Sequence, residues 1–226
     1  MSKLSIIVPY RDRKSHLDVF IPHMNEYLTS EGIDYNIVIV DQDDGSLFNR
    51  AKLLNVGFLE TFESSDYSAF HDVDMIPVKP NAGYHFTKTA RQVFSPTEYS
   101  MGGISIANNT VNLKVNGWSN SYWGWGGEDR NYAHRLSHHG IPLEESRGFR
   151  KWDWGREHFK ELEGHHDPDR KQLKKTQQKI TKSFKKDPSL NDHDGLVNCD
   201  YTINFFESYD THTLIKVNLN EKKKTS

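Results

Sequence analysis

LSIIVPYRDRKSHLDVFIPHMNEYLTSEG, residues 4–32, decides the fold. Its first part, Leu4 to Tyr10, is an apolar run rich in branched side chains, which suits a strand buried on both faces. The rhythm then changes. Leu17, Phe20, Ile21, Met24, Tyr27 and Leu28 recur at helical spacing, one apolar stripe that Gly32 ends. The alternation then repeats. Residues 35–41 (YNIVIVD) read as a second strand, 48–62 as a helix with Ala51, Leu54, Gly57 and Phe58 on one side, and 67–74 (YSAFHDVD) as a third strand. Strand, helix, strand, helix, strand with near-continuous apolar strands predicts an α/β fold around a mainly parallel central sheet. Beyond residue 80 the periodicity weakens. Residues 81–100 read as loop, 102–107 as a strand, 128–139 as a helix ended by Gly140, 168–186 as a lysine-rich helix and 211–219 as a last strand. The charged face of that basic helix reads as a solvated surface.

Polar residues gather where such a sheet binds ligands, outside the carboxyl ends of its strands. Tyr10, Arg11, Asp12 and Arg13 follow the first strand, Asp41 to Asp44 the second, and Asp72 and Asp74 close the third. No G-x-G-x-x-G follows the first strand, so a dinucleotide fingerprint is not indicated, whereas the arginines suit phosphate. Within a strand, Asp72 and Asp74 would project to one side with Val73 turned to the core, a pair of hard oxygen ligands suited to Mg²⁺ or Mn²⁺. An imidazole beside them, from His165 or His166, would favour Mn²⁺.

The stretch SYWGWGGEDRNYAHRL (121–136) carries the other chemistry. Trp123 and Trp125 offer flat apolar faces suited to a sugar, and Gly124, Gly126 and Gly127 give the loop freedom to move. Glu128 and Asp129 open a helix whose dipole favours negative charge, so one of them can accept a proton from a hydroxyl.

The 226 residues allow one sizeable core and are short for two. The balance of 29 Lys+Arg against 31 Asp+Glu gives no overall field for nucleic acid or an anionic membrane. No apolar run is long enough for a membrane span, and the single Cys199 excludes an intramolecular disulfide framework and fits a reducing compartment. One domain over 1–220 is expected, with a nucleotide-binding half (1–80), an acceptor and catalytic half (81–167), a C-terminal helix and strand (168–220) and a frayed tail (221–226).

Taken in order, IIVPYRDR, FNRAKLLNVGF, FHDVDMIP, GGISI and YWGWGGED resemble the β-1,4-galactosyltransferase family, glycosyltransferase family 7. VFIPHM, NVGFLE, HHDP and DGL (194–196) resemble most its proteoglycan-linker branch, which puts galactose on xylose. The resemblance runs from about residue 4 to 200 and implies a GT-A fold, with metal-dependent, inverting transfer from a UDP-sugar, Mn²⁺ as cofactor and a xyloside-like saccharide acceptor. By motif, Pro9, Tyr10, Arg11 and Arg13 would hold the uridine diphosphate, with Phe48 and Arg50 also at the nucleotide and Asp72 and Val73 beside it. Asp74 and His166 would bind the metal. Trp125 would cover the donor, Glu128 would hold the sugars, and Asp129 would be the base.

Three departures bear on function. Gly164 stands where the branch has the first histidine of H-x-H-D-P, so either His165 takes its place or water does. Arg130 and Asn131 replace acids that follow the Glu, altering the acceptor side. Ser100 stands two positions before Gly102-Gly103, where galactose-specific members carry a bulky Tyr; with Gly103 it would border the donor sugar, leaving room for the N-acetyl group of UDP-GalNAc beside UDP-Gal unless Tyr99 refills it. The rival readings are a metal-dependent nucleotidyltransferase, which leaves the tryptophan–glycine loop unexplained, and a degenerate sugar-binding module. Animal members of the family are Golgi proteins; a chain that starts almost at its first strand, without disulfides, reads as a cytoplasmic enzyme of microbial type, or as a Golgi-lumen enzyme if an anchor was removed.

Overall fold

A computed structural model describes residues 2–95, 100–144, 152–163 and 170–220. The central sheet begins with β1 (Lys3–Tyr10), β2 (Asp34–Gln42) and β3 (Tyr67–His71), separated by helices α1 (Lys14–Ser30) and α2 (Arg50–Leu59). β1 pairs in parallel with both β2 and β3, giving the order β3-β1-β2. The chain thus steps outward from β1 to β2 and returns across β1 to β3. With right-handed crossovers, that reversal requires the two helices to lie on opposite faces.

The side-chain alternation of β1 records this. Leu4, Ile6 and Val8 pack with Phe20, Met24 and Leu28 of α1, while Ile7 packs with Leu53, Leu54 and Phe58 of α2. β2 divides likewise, Ile37 and Ile39 to one core, Val38 and Val40 to the other. Gly57 permits the close approach of α2: a Cβ there would stand 2.3 Å from Ile7 Cγ2.

Beyond β3 the chain forms β4 (Met75–Pro77) in a separate ribbon, and the sheet turns antiparallel through β5 (Ala90–Phe94) and β6 (Ile104–Asn108), with α3 (Asn109–Lys114) following β6. Then come α4 (Glu128–His138), α5 (Trp152–His158), β7 (Phe159–Glu161, paired with β4), α6 (Arg170–Lys186), β8 (Thr202–Ser208) and β9 (Thr213–Asn218). The full order is β5-β6-β3-β1-β2-β9-β8. The sheet is therefore mixed, parallel at its centre as expected and antiparallel at both edges.

The sequence reading is corrected in four places. β3 ends at His71, so Asp72 to Asp74 are not strand residues. β5 lies within the stretch expected to be loop, and β7 and β8 carry no strand expectation at all. Every residue of β8 is exposed at the sheet edge, so no buried face imprints a pattern on its sequence. α2 begins at Arg50 rather than Phe48, because Asn49 caps it by accepting from the Lys52 backbone N–H. Among the described residues no helix is long and apolar enough to cross a membrane.

Candidate functional site

The order β3-β1-β2 makes a topological switch point between β1 and β3, where open sheets bind ligands at the strand carboxyl ends. Pro9 is buried in β1 and Tyr10 half-buried at its end. Asp12 then takes a left-handed conformation, φ 54°, and turns the chain into α1. Arg13, at the mouth of that helix, places Nη1 2.9 Å from Asp74 Oδ2 across the switch point.

His71 closes β3 without charge. Its Nδ1–H donates to the Asp72 carbonyl at 2.9 Å, and Nε2 accepts from the Tyr84 hydroxyl at 2.6 Å. Burial pushes its pKa down to about 4. Asp72, Val73 and Asp74 then form a turn, in which Met75 N–H donates to the Asp72 carbonyl at 3.3 Å. Val73 is buried as expected, but the carboxylates do not share one side of a strand. Asp72 goes to Arg50 Nε at 2.6 Å and Asp74 to Arg13. Burial, then the charge of Asp72, raise the Asp74 pKa against the pull of Arg13.

Arg50 is therefore not free to act as an exposed phosphate fork. Its guanidinium lies 5.3 Å from the centre of the Trp118 ring, and Nη1 stands 3.9 Å from Glu128 Oε1. Burial works against its charge, but Asp72 and Glu128 outweigh that and raise its pKa. Glu128 is 9 % exposed at the first position of α4. Burial pushes its carboxyl up to about 7, Asp129 adds to this, and Arg50 opposes it. Among the described residues, Arg50 Nη1 and Nη2 and Glu128 Oε2 are buried without hydrogen-bond partners. Such orphans are costly unless a ligand supplies the missing partners.

Asp129 reaches the same place through β6. Met101 N–H donates to the Asp129 carbonyl at 3.2 Å, and a Cβ on Gly102 would stand 3.2 Å from Asp129 Oδ2. The Gly103 carbonyl accepts from Asp72 N–H at 3.0 Å. Gly103 has φ 71°, and a Cβ there would meet the Phe94 carbonyl at 2.8 Å, so glycine is required. Three residues thus tie the start of α4 to the turn after β3. Ser100, just ahead of them, is buried, its hydroxyl 2.6 Å from that of Ser95.

The tryptophan loop meets the β2–α2 connection. Arg11 donates to the Ser46 carbonyl at 2.8 Å and lies over the Phe48 ring, 5.2 Å from its centre. Gly124 N–H donates to the Phe48 carbonyl at 2.7 Å, and Trp125 is 41 % exposed. Behind the loop, α6 turns its lysines 174, 175, 179, 182, 185 and 186 to solvent, as expected. Its inner face, which the charge pattern hid, holds the loop: Gln177 Nε2 donates to the Trp123 carbonyl at 2.6 Å, and Thr181 meets the Tyr122 hydroxyl at 3.2 Å.

Sequence reasoning also missed Trp118, fully buried under Arg50 and stacked on Tyr132 at 4.1 Å. Asp194, noticed only within DGL, braces the segment before the loop: it accepts from Asn120 N–H at 3.0 Å and from the Ser119 hydroxyl, and pairs with buried Arg135 at 3.5 Å. The polar run NGWSN (116–120) was the available signal for both.

His165, His166 and Tyr99 lie outside the described residues, and among the described ones no group of three or more metal-type side chains occurs. The chain just ahead of the histidines is nonetheless fixed to the site. Leu162 N–H donates to the Asp74 carbonyl at 2.6 Å, and His16 Nε2 donates to the Glu163 carbonyl at 3.1 Å.

Residues 1–87 match the model of the N-terminal region of glycosyl transferase group 7, and residues 84–150 match that of the N-terminal domain of galactosyltransferase. Mouse beta-1,4-galactosyltransferase 7 is 38% identical over 149 residues, 62% of this chain and 46% of that protein. The xylosylprotein 4-beta-galactosyltransferase of Caenorhabditis elegans is 40% identical over 144 residues, 59% of this chain and 50% of its own length. The chain thus spans half or less of these curated relatives. The catalytic domain of Drosophila beta-1,4-galactosyltransferase 7, solved with xylobiose, superposes with a TM-score of 0.76 at 27% identity, covering 97% of this chain and 95% of that one. A mutant of the same fly enzyme, solved with manganese, UDP-Gal and xylobiose, gives 0.75 at 26% identity and the same coverage. The superposition establishes the GT-A type of fold. The relatives are animal enzymes, the group that the family resemblance places in the Golgi, and this overturns the expectation of a cytoplasmic enzyme of microbial type.

Proposed function

We infer the function from a premise of kinship: the chain belongs to the group 7 glycosyltransferases, the family of the β-1,4-galactosyltransferases. On that premise the protein is an inverting, metal-dependent hexosyltransferase that moves galactose from UDP-galactose to a hydroxyl of a saccharide acceptor in β-1,4 linkage. The observation that carries the reading is the junction at Gly102 and Gly103. It sets the Asp129 carboxylate beside the turn holding Asp72 and Asp74, although 55 residues separate Asp129 from Asp74 in sequence.

Asp129 takes the proton of the attacking acceptor hydroxyl, a role worth roughly 10²–10⁴-fold in rate. One displacement at the anomeric carbon then breaks its bond to the diphosphate oxygen and inverts its configuration. Glu128, whose buried Oε2 has no partner among the described residues, accepts a hydrogen bond at the sugar end of the donor. Arg11 and Phe48 flank the nucleotide, Arg13 stands by the diphosphate, and Trp125 covers the donor and keeps water from it.

Asp74 with His166, helped by His165 or water, would make an oxygen and nitrogen donor set that suits Mn²⁺. The local electrostatics fit: burial and Asp72 load Asp74 with unfavourable negative potential, which a cation relieves. When bound, Mn²⁺ supplies Lewis-acid stabilisation of the departing UDP.

Two finer assignments belong to the same reading. The acceptor is a xyloside, supported by similarity to a xylosylprotein enzyme and by the xylobiose in the fly structure. UDP-GalNAc is accepted alongside UDP-galactose, supported by the small Ser100 in place of a phenol. The test of the transferase reading is UDP release with Mn²⁺, UDP-galactose and a panel of β-xylosides. Release that requires both metal and acceptor upholds it; release indifferent to the acceptor contradicts it.

A further inference from the structure

The sequence motif assigns Arg50 to the nucleotide, but its surroundings give it a different task. Nε is taken by Asp72 at 2.6 Å, and the guanidinium plane is backed by the Trp118 ring. These two contacts fix the plane so that Nη1 stands 3.9 Å from Glu128 Oε1, at the first residue of α4. Arg50 is itself the first residue of α2, whose start Asn49 locks by capping and by donating to the Asn120 carbonyl at 2.9 Å. Two helix starts, 78 residues apart, thus face each other through one ion pair, and the turn after β3 closes the third side.

We propose that Arg50 is a positioning residue for the transfer, acting through Glu128: anchored on Asp72 and Trp118, it fixes where the sugar-holding carboxylate stands relative to the D-V-D turn. The nucleotide is left to Arg11, Arg13 and Phe48. A guanidinium suits this task because its planar fork serves two carboxylates at once while lying on an aromatic ring. Lysine would keep the charge at a single point and give up either the pairing with Asp72 or that with Glu128.

The inference rests on the transferase reading above, and its test separates the two. Arg50→Lys, Glu128→Gln and the double variant are compared in UDP affinity by calorimetry, in kcat and donor KM, and in urea midpoint. Arg50→Lys is expected to leave UDP affinity within about twofold while kcat falls by ~10–100-fold, the mark of an interaction made in the transition state. The double variant is expected to be no worse in kcat than the worse single one. UDP affinity falling in step with kcat would make Arg50 a nucleotide ligand and overturn the inference, as would additive effects of the two substitutions. Were the unaltered protein to transfer no sugar, the transferase reading would fall. The urea midpoints would then decide, coupled changes upholding the Arg50–Glu128 link and additive ones removing it.

Discussion

Asp129 and Gly102 touch across the site: a Cβ on the glycine would stand 3.2 Å from Asp129 Oδ2, while the Asp129 carbonyl accepts from the neighbouring Met101 N–H. The proposed base is thus seated against a backbone where a methyl group would fit only if the carboxylate gave way slightly. Gly102 is not in the left-handed region, so Gly102→Ala adds crowding without backbone strain. It is expected to shift the carboxylate by a few tenths of an ångström and lower kcat about tenfold, with UDP affinity unchanged. Steady-state kinetics beside calorimetry check this.

Gln177 holds the tryptophan loop from behind. Gln177→Ala removes its bond to the Trp123 carbonyl and is expected to cost ~1 kcal/mol in stability. The effect should be local. Amide exchange at Gly124, which donates to the Phe48 carbonyl, should speed up while β1 and β2 keep their protection. Donor hydrolysis without acceptor should rise, since a loosened loop admits water.

His71 makes stability depend on pH. Its folded pKa lies at about 4, below the ordinary 6.5, so the unfolded chain binds the proton more readily between these values. The contribution of His71 to stability is therefore full above pH 6.5 and lost as pH falls towards 4, up to ~3 kcal/mol. His71→Gln, which does not titrate, should be less stable at pH 7, because its hydrogen bonds to Tyr84 and Asp72 are altered. Its urea midpoint should nevertheless fall less than that of the unaltered protein between pH 6.5 and pH 4.

Ser100 tests donor choice. Restoring the ring with Ser100→Tyr is expected to lower kcat/KM for UDP-GalNAc ~10–100-fold relative to UDP-galactose. Competition between the two donors reads the ratio directly. If the unaltered protein does not use the acetylated donor, the volume argument fails.

The parallel half of the fold was legible because its strands are buried on both faces and α1 carries one apolar stripe; α2, expected to bury one side, is buried all round from Ala51 to Phe58 and followed from the strand–helix alternation instead. The edges were not. β8 has no buried face, and β5 owes its existence to pairing with β6 rather than to any rhythm of its own. In the site, the acids that gather at the strand ends, Asp72, Asp74, Glu128 and Asp129, could be named from strand ends and motif. What the sequence could not supply was pairing: nothing in F-N-R says that Arg50 turns to Asp72 and Glu128. The strand argument for Asp72 and Asp74 failed because β3 stops at His71, whose ring is satisfied within the fold, and the chain turns there.

The central claim is that Asp129 receives the acceptor proton in a UDP-sugar transfer, and Asp129→Asn tests it most directly. The amide keeps the size of the carboxylate, so the contact with Gly102 is preserved while basicity is removed. UDP is expected to bind Asp129→Asn as it binds the unaltered protein, while transfer to a β-xyloside falls by ~10²–10⁴-fold. Turnover retained within a few-fold, with UDP binding intact, would place the base elsewhere and contradict that claim.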